Sequence, residues 1–263
     1  MVLDKDLVSI IMPSFNSEKY ILSSIDSVVS QTYVNWELII VDDCSTDNTL
    51  AIVNQIAEKE SRIVLLKNET NLGAAASRNK ALACAKGRWI AFLDSDDIWA
   101  PTKLFDQITF MNEKNCSFSY TLYEQIDEES NPLNIIIRGP KKCGSATLHR
   151  YNYLGCLTVM YDQNLSGVVT IDERIKSRND YALWLKIIKT NKRCLLLKKV
   201  LAKYRVRQKS LSHNKLSKLI KNHYRVFRLS ENKSWFVSCF YTFNNLFFGY
   251  FKKLFYTKRI KTN

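Results

Sequence analysis

Three carboxylates within four positions, Asp94-Ser95-Asp96-Asp97, follow the apolar run 89–93. Such a group repels itself unless a cation or hydrogen-bond donors neutralise it. A hard divalent ion, held by one or two carboxylates and completed by phosphate oxygens of a substrate, matches the ligand type. On an extended backbone Asp94 and Asp96 point the same way, so one can take a hydroxyl while the other takes the metal. A second reading has Asp96 or Asp97 capping a helix that begins near Ala100-Pro101-Thr102. Other devices for phosphate or acyl chemistry are missing. G-x-G-x-x-G, G-x-x-x-x-G-K-[ST] and G-x-S-x-G do not occur, and none of the three histidines (His149, His213, His223) adjoins a credible nucleophile.

The elements that must position these carboxylates follow from periodicity. Residues 8–12 and 36–41 are β-rich apolar runs, stopped by Pro13 and by Asp42-Asp43. Between them Tyr20, Ile21, Ile25, Val28 and Val29 recur at helical spacing behind the capping candidates Asn16 and Ser17. The pattern continues with a helix over 49–58, a strand over 63–66, an alanine-rich helix over 74–85 and a strand over 89–93. This alternation predicts an α/β fold: an open, mostly parallel, Rossmann-like sheet with helices on both faces. Ligands of such sheets sit outside the carboxyl ends of the strands, where Pro13-Ser14-Phe15-Asn16, Asp42-Asp43 and the acidic cluster fall. Residues 118–170, with Asn131-Pro132, Gly139-Pro140 and Gly144-Ser145, read as loops and short antiparallel strands. A helix is expected over 181–189, and strand material at 194–197 and 201–204.

The ordered blocks Val8-Ser-Ile-Ile-Met-Pro-Ser-Phe-Asn16, Ser27-Val-Val-Ser-Gln-Thr-Tyr33, Trp36-Glu-Leu-Ile-Ile-Val-Asp-Asp-Cys-Ser-Thr-Asp-Asn-Thr49, Asn71-Leu-Gly-Ala-Ala-Ala-Ser-Arg-Asn79 and Gly87-Arg-Trp-Ile-Ala-Phe-Leu-Asp-Ser-Asp-Asp-Ile-Trp99 resemble those of family 2 glycosyltransferases with the GT-A fold. Within that family the chain is most similar to small bacterial enzymes that build teichuronic acid, O-antigen and capsule repeats. The resemblance implies that Pro13, Phe15, Asp43 and Arg78 line the base and ribose pocket, and that Asp94 and Ser95 belong to the nucleotide-sugar site. It further implies that Asp96 holds Mg2+ or Mn2+ against the diphosphate. The chemistry agrees: Phe15 offers a stacking face, Asp43 accepts from a base N–H and Arg78 donates to a carbonyl or phosphate oxygen. Asp42 is expected to pin the turn after its strand. Cys44 stands where the family usually has glycine.

By the same resemblance Asp180 is the catalytic base, a carboxylate that takes the acceptor's proton; an N-cap is the other reading. Asn179 replaces the usual acidic neighbour, and Trp184, one turn on, offers either a stacking face for an acceptor sugar or a core aromatic. In the block Tyr204-Arg-Val-Arg-Gln-Lys-Ser-Leu-Ser212, Arg207 stands where many relatives carry histidine. Arginine pairs with phosphate and does not ligate cations, so Arg205 or Arg207 is expected to stabilise the leaving diphosphate, unless both are surface charges. The function implied is inverting transfer of a hexose from a nucleotide sugar, a UDP-sugar, to a polyprenyl-diphosphate-linked saccharide. The rival reading is a catalytically inactive nucleotide-sugar-binding or scaffold protein of the same fold.

The 263 residues carry a formal charge of +14, distributed unevenly. Residues 1–100 hold nine basic and fourteen acidic side chains, whereas 201–263 hold fifteen basic and one acidic. The acidic first hundred residues argue against a nucleic-acid partner. Basic residues such as Lys215, Lys218 and Lys221 are followed by Trp235, Phe236, Phe240 and further aromatics interleaved with Lys252, Lys258 and Lys261, which suits an anionic membrane surface. The expected organisation is a GT-A domain over 1–212, with a donor half (1–100) and an acceptor half (101–212), and a helical, membrane-associating extension over 213–263. The uncharged stretch 235–251 spans 17 residues, fewer than the ~20 that cross a bilayer, so it reads as interfacial or buried. Seven cysteines without C-x-x-C spacing and the lack of a signal peptide predict free thiols in the cytoplasm, peripheral to the inner membrane face.

Overall fold

The computed structural model describes residues 4–207 and 216–259. The predicted boundary at 212/213, Lys215 and Lys261 lie outside the described residues. Strands β1 (Asp4–Ser14), β2 (Trp36–Asp42), β3 (Ile63–Lys67) and β4 (Gly87–Phe92) alternate with helices α1 (Ile21–Val29), α2 (Thr49–Ala57) and α3 (Ala74–Cys84). They pair in parallel in the order β3-β2-β1-β4, with Val8 opposite both Trp36 and Trp89. Side chains of β1 and β2 divide by parity. Ile11, Ile39 and Val41 enter one core with Phe92; Val8, Ile10, Met12, Leu38 and Ile40 enter a second, with Ile21, Ile25 and Val28 of α1. With both faces covered, the strands read as unbroken apolar runs.

Two local expectations are corrected. Pro13 does not end β1, which continues to Ser14 beside β2. The carbonyl of Ile11 accepts from Leu93 N on the β4 side, and Pro13, two residues on, faces the same way past the end of β4, where no N–H is needed. Nor do Asn16 and Ser17 cap α1, whose N-cap position is Tyr20: Asn16 Oδ1 accepts from Thr46 N at 2.8 Å, and the Ser17 hydroxyl meets Ser95 Oγ at 2.7 Å.

The second half contains β5 (Ile98–Trp99), α4 (Lys103–Glu113), β6 (Phe118–Ile126), β7 (Pro132–Ile137), β8 (Lys142–Cys143), α5 (Ser145–Arg150), β9 (Met160–Asp162), α6 (Gln163–Ser166), α7 (Asn179–Asn191) and β10 (Cys194–Arg205). β9 inserts antiparallel between β4 and β6, β6 and β7 form a hairpin, and β10 runs parallel to β6. The sheet is therefore parallel among β1 to β4 and mixed beyond them.

Residues 216–259 pack against this body. Helix α8 (Leu216–Arg225) passes through a π-helical turn, Val226–Ser230, into α9 (Trp235–Phe255) and β11 (Thr257–Arg259), which pairs antiparallel with β7. Phe227 is fully buried in the core that holds Phe92. Glu231, with no exposed side-chain surface, lies 2.8 Å from Lys189 Nζ and 3.3 Å from His149 Nε2, and Asn245 Nδ2 donates to the carbonyl of His149 at 2.8 Å. Helix α9 inverts the usual polarity of a surface helix. Its packed side carries Ser238, Thr242 and Asn245, while Phe236, Phe240, Phe243, Phe247 and Phe255 face outward. Among the described residues no helix is long and apolar enough to cross a membrane.

Candidate active site

A cleft of about 480 Å³ opens at the carboxyl ends of β1, β2 and β4. Pro13, Phe15, Asp43, Arg78, Asp94, Ser95, Asp96, Asp180 and Arg207 all line it, so nine of the eleven residues singled out from the sequence converge. Phe15 leaves 46% of its surface exposed at the rim, an available aromatic face. Asp42 pins the turn after β2, accepting from Ser45 N at 3.0 Å. That turn puts Cys44 at φ 64°, the left-handed conformation in which glycine is at ease.

Asp43 organises a wall of the cleft. Oδ1 accepts from Asn68 Nδ2 at 2.8 Å and Leu72 N at 2.9 Å, and Oδ2 from Gly73 N at 2.7 Å. Gly73 reaches that carboxylate with φ 91°, which a side chain would resist. Arg78, on α3 and 5% exposed, donates Nη2 to Asp94 Oδ1 and Nη1 to Asn179 Oδ1. Burial opposes its charge, but Asp94, Cys156 and Asp180 more than offset this, and the guanidinium is held protonated.

The acidic cluster is a turn rather than an extended segment, with Asp97 N donating to Asp94 O at 3.1 Å. It does not cap α4, whose N-cap position is Thr102. Asp97 is buried, accepts from Arg205 N at 2.9 Å, and its carboxyl is pushed well up by burial and by Asp96 and Asp94. Asp96 is also raised by burial, against the pull of Arg207, whose Nε lies 2.8 Å from Oδ2. Asp180 is the second residue of α7, inside the helix, whose N-cap position is Arg178. Burial raises its carboxyl, and Arg78 is the leading influence opposing this.

Two expected ligands are displaced from the site. Trp184 is fully buried, edge-on to Phe92 at 5.0 Å and tilted against Phe118 at 6.1 Å; it is a core aromatic and presents no face to an acceptor. Arg205 is 2% exposed, with Nε donating to Asp96 O at 2.8 Å and Nη1 to Asp127 O at 3.1 Å, Glu128 O at 3.0 Å and Ser130 Oγ at 2.8 Å. It braces the acidic turn to the β6–β7 hairpin and does not reach a phosphate. Sequence reasoning missed Arg178, Tyr151 and Lys252, which also line the cleft.

A carboxylate-lined cleft thus lies at the ends of parallel strands, flanked by a mixed extension of the same sheet, the arrangement expected of the GT-A fold. The sequence matches Glycosyl transferase family 2 over residues 9–160, and the chain belongs to that family. It is 41% identical over 233 residues, 89% of this chain and 87% of the other, to TuaG of Bacillus subtilis, whose name assigns it to teichuronic acid biosynthesis. It is 44% identical over 218 residues, 82% and 84% of the two chains, to Escherichia coli WfgD, a UDP-Glc:alpha-D-GlcNAc-diphosphoundecaprenol beta-1,3-glucosyltransferase by name. Among solved structures, S. aureus TarS 1-349 in complex with UDP-GlcNAc aligns with a TM-score of 0.70 at 26% identity, covering 85% of this chain and 65% of that longer one. The mannosyltransferase PcManGT from Pyrobaculum calidifontis shares the fold, with a TM-score of 0.65 at 15% identity over 92% of this chain and 71% of that one.

Proposed function

We propose that the enzyme transfers a hexose from a UDP-sugar to a saccharide carried on polyprenyl diphosphate, with inversion, in the synthesis of a bacterial surface polysaccharide. The observation that carries this reading is the convergence of Asp180 with Arg78, Asp94 and Asp96 in one cleft. The names of TuaG and WfgD, and the UDP-GlcNAc bound to TarS, support the substrate classes. Pro13, Phe15 and Asp43 hold the base, while Asp94 and Ser95, steadied by Arg78, hold the ribose. As the acceptor oxygen attacks the anomeric carbon, its proton passes to a carboxylate oxygen of Asp180. The bond to the diphosphate breaks on the opposite side, so an α-linked donor gives a β-linkage. Burial makes Asp180 a stronger base, and the charge of Arg78 opposes that rise.

Asp96 supplies carboxylate oxygen donors that suit Mg2+ or Mn2+. Among the described residues no three His, Cys, Asp or Glu side chains are grouped to hold a metal, so a cation at Asp96 would need its other ligands from water and the substrate diphosphate. Bound there, the cation would offset charge on the departing diphosphate. Arg207, at the same carboxylate, is the arginine available to the diphosphate.

We assign the outward face of α9 to an anionic membrane surface at the cytoplasmic side, where the lipid-linked acceptor lies. Exposed aromatics over about 31 Å of helix, flanked by the exposed cations Lys258 and Arg259, suit the headgroup region. The test is nucleoside diphosphate release from a panel of nucleotide sugars, with GlcNAc-diphosphoundecaprenol as acceptor. Asp180→Asn should lose about 10²–10⁴-fold in turnover at unchanged melting temperature; robust transfer by that variant defeats the assignment.

A further inference from the structure

Helix α9 carries a cation on its inner side into the cleft. Gly249 rests against Tyr151: a Cβ there would lie 3.0 Å from the ring, so glycine permits this close approach. One turn on, Lys252 Nζ stands 5.3 Å from the centroid of the same ring. Arg178, also lining the cleft, is fixed at the head of α7 with φ 61°, a strained conformation for a residue with a Cβ. Among the described residues, neither side chain has a carboxylate at ion-pair distance. Burial and the charge of Arg178 push the Lys252 ammonium down to about 8, and the charge of Asp180 only partly offsets them.

The donor-side carboxylates already have their cations, Asp94 with Arg78 and Asp96 with Arg207. Lys252 instead senses Arg178, Asp180 and Cys143 of β8, groups of the acceptor half. It also belongs to the helix whose opposite face is aromatic and exposed, one helix diameter of about 10 Å away. We propose that Lys252 and Arg178 form a subsite for the diphosphate of the lipid-linked acceptor, so that one helix meets the bilayer outside and grips the emerging phosphates inside. This rests on the proposed function in one respect: the acceptor carries a diphosphate.

The full chain, saturated with UDP, is titrated with geranyl diphosphate as the probe. Geranyl diphosphate should bind alongside UDP, and Lys252→Met should weaken it about 10–100-fold while leaving UDP affinity unchanged. Lys252→Arg should restore most of the loss, and Gly249→Ala, which keeps the lysine but lifts the helix from Tyr151, should reproduce it at least in part. Competition between geranyl diphosphate and UDP, an equal loss of UDP affinity in Lys252→Met, or unaltered binding by that variant would each overturn the assignment, the first two by pointing to the donor's diphosphate. The titration needs no turnover, so it is read separately from the transfer assay that tests the proposed function.

Discussion

Replacing Arg78 with methionine removes a cation shared by several groups of the cleft. Its guanidinium donates to Asp94, whose side chain is 33% exposed, and to Asn179, which is 5% exposed. Asp94 can recover water on its open side, so that charge-assisted bond is worth about 1.5–2 kcal/mol. Asn179 cannot, and an unsatisfied buried amide costs about 1–2 kcal/mol. Methionine keeps most of the aliphatic stem's packing. The net loss is about 3 kcal/mol, which in a chain of this size lowers the melting temperature by roughly 6–12 °C. Circular dichroism melts of Arg78→Met, Asp94→Asn and the double variant should give a coupling energy of about 1–2 kcal/mol. The electrostatic consequence is separate. Arg78 is the leading charge that opposes the upward shift of Asp180, so its removal raises the carboxyl further. A base must be ionised to act, so the acid limb of kcat/KM against pH should move to higher pH, with the deficit narrowing in alkali. Additive melting shifts together with an unmoved acid limb would refute the reasoning.

Glu231→Gln should cost about 1–2 kcal/mol at neutral pH, because it removes the charge that Lys189 and His149 meet while Lys189, half exposed, regains water. Although burial works against its charge, those two residues hold Glu231 below its ordinary 4.5, so its contribution is present above that pH and disappears as pH falls through the folded value. Calorimetry across pH should therefore find the variant's deficit shrinking in acid. Phe243→Ser with Phe247→Ser should weaken co-sedimentation with phosphatidylglycerol vesicles roughly a hundredfold, about 3 kcal/mol for two rings, without lowering the melting temperature. Undiminished vesicle binding would remove α9 from the membrane.

The first hundred residues were legible because their sheet is covered on both faces, and apolar runs alternate with helical spacing up to polar strand ends. The cleft followed from those ends: Phe15, Asp43 and Asp94 to Asp96 stand where parallel strands finish. What escaped prediction depends on contacts distant in sequence. Arg205 looked like a free cation because most of its partners are backbone carbonyls and a serine hydroxyl in the turn at 127–130, and carbonyls have no sequence signature. Trp184 sits one turn after Asp180 on the same side of α7, but the step of about 6 Å along the helix axis takes it beyond the cleft and into the core. Lys252 was grouped with the basic tail, since spacing alone does not tell which side of an aromatic helix meets the protein. The acidic turn shows the same limit, because its conformation depends on Arg205 from β10.

Helix α9 is fastened near both ends: the connection before it through Glu231, its middle through Asn245, and its far end through β11 on the edge of the hairpin. A helix held this way is a mount and not a tether. With its outer face on the bilayer as proposed, the height of the cleft is set by packed side chains instead of by a slack linker. The separation of Lys252 and Asp180 is likewise built into the packed body, so in the proposed complex it would set how many sugar rings fit between a phosphate at one and a hydroxyl at the other.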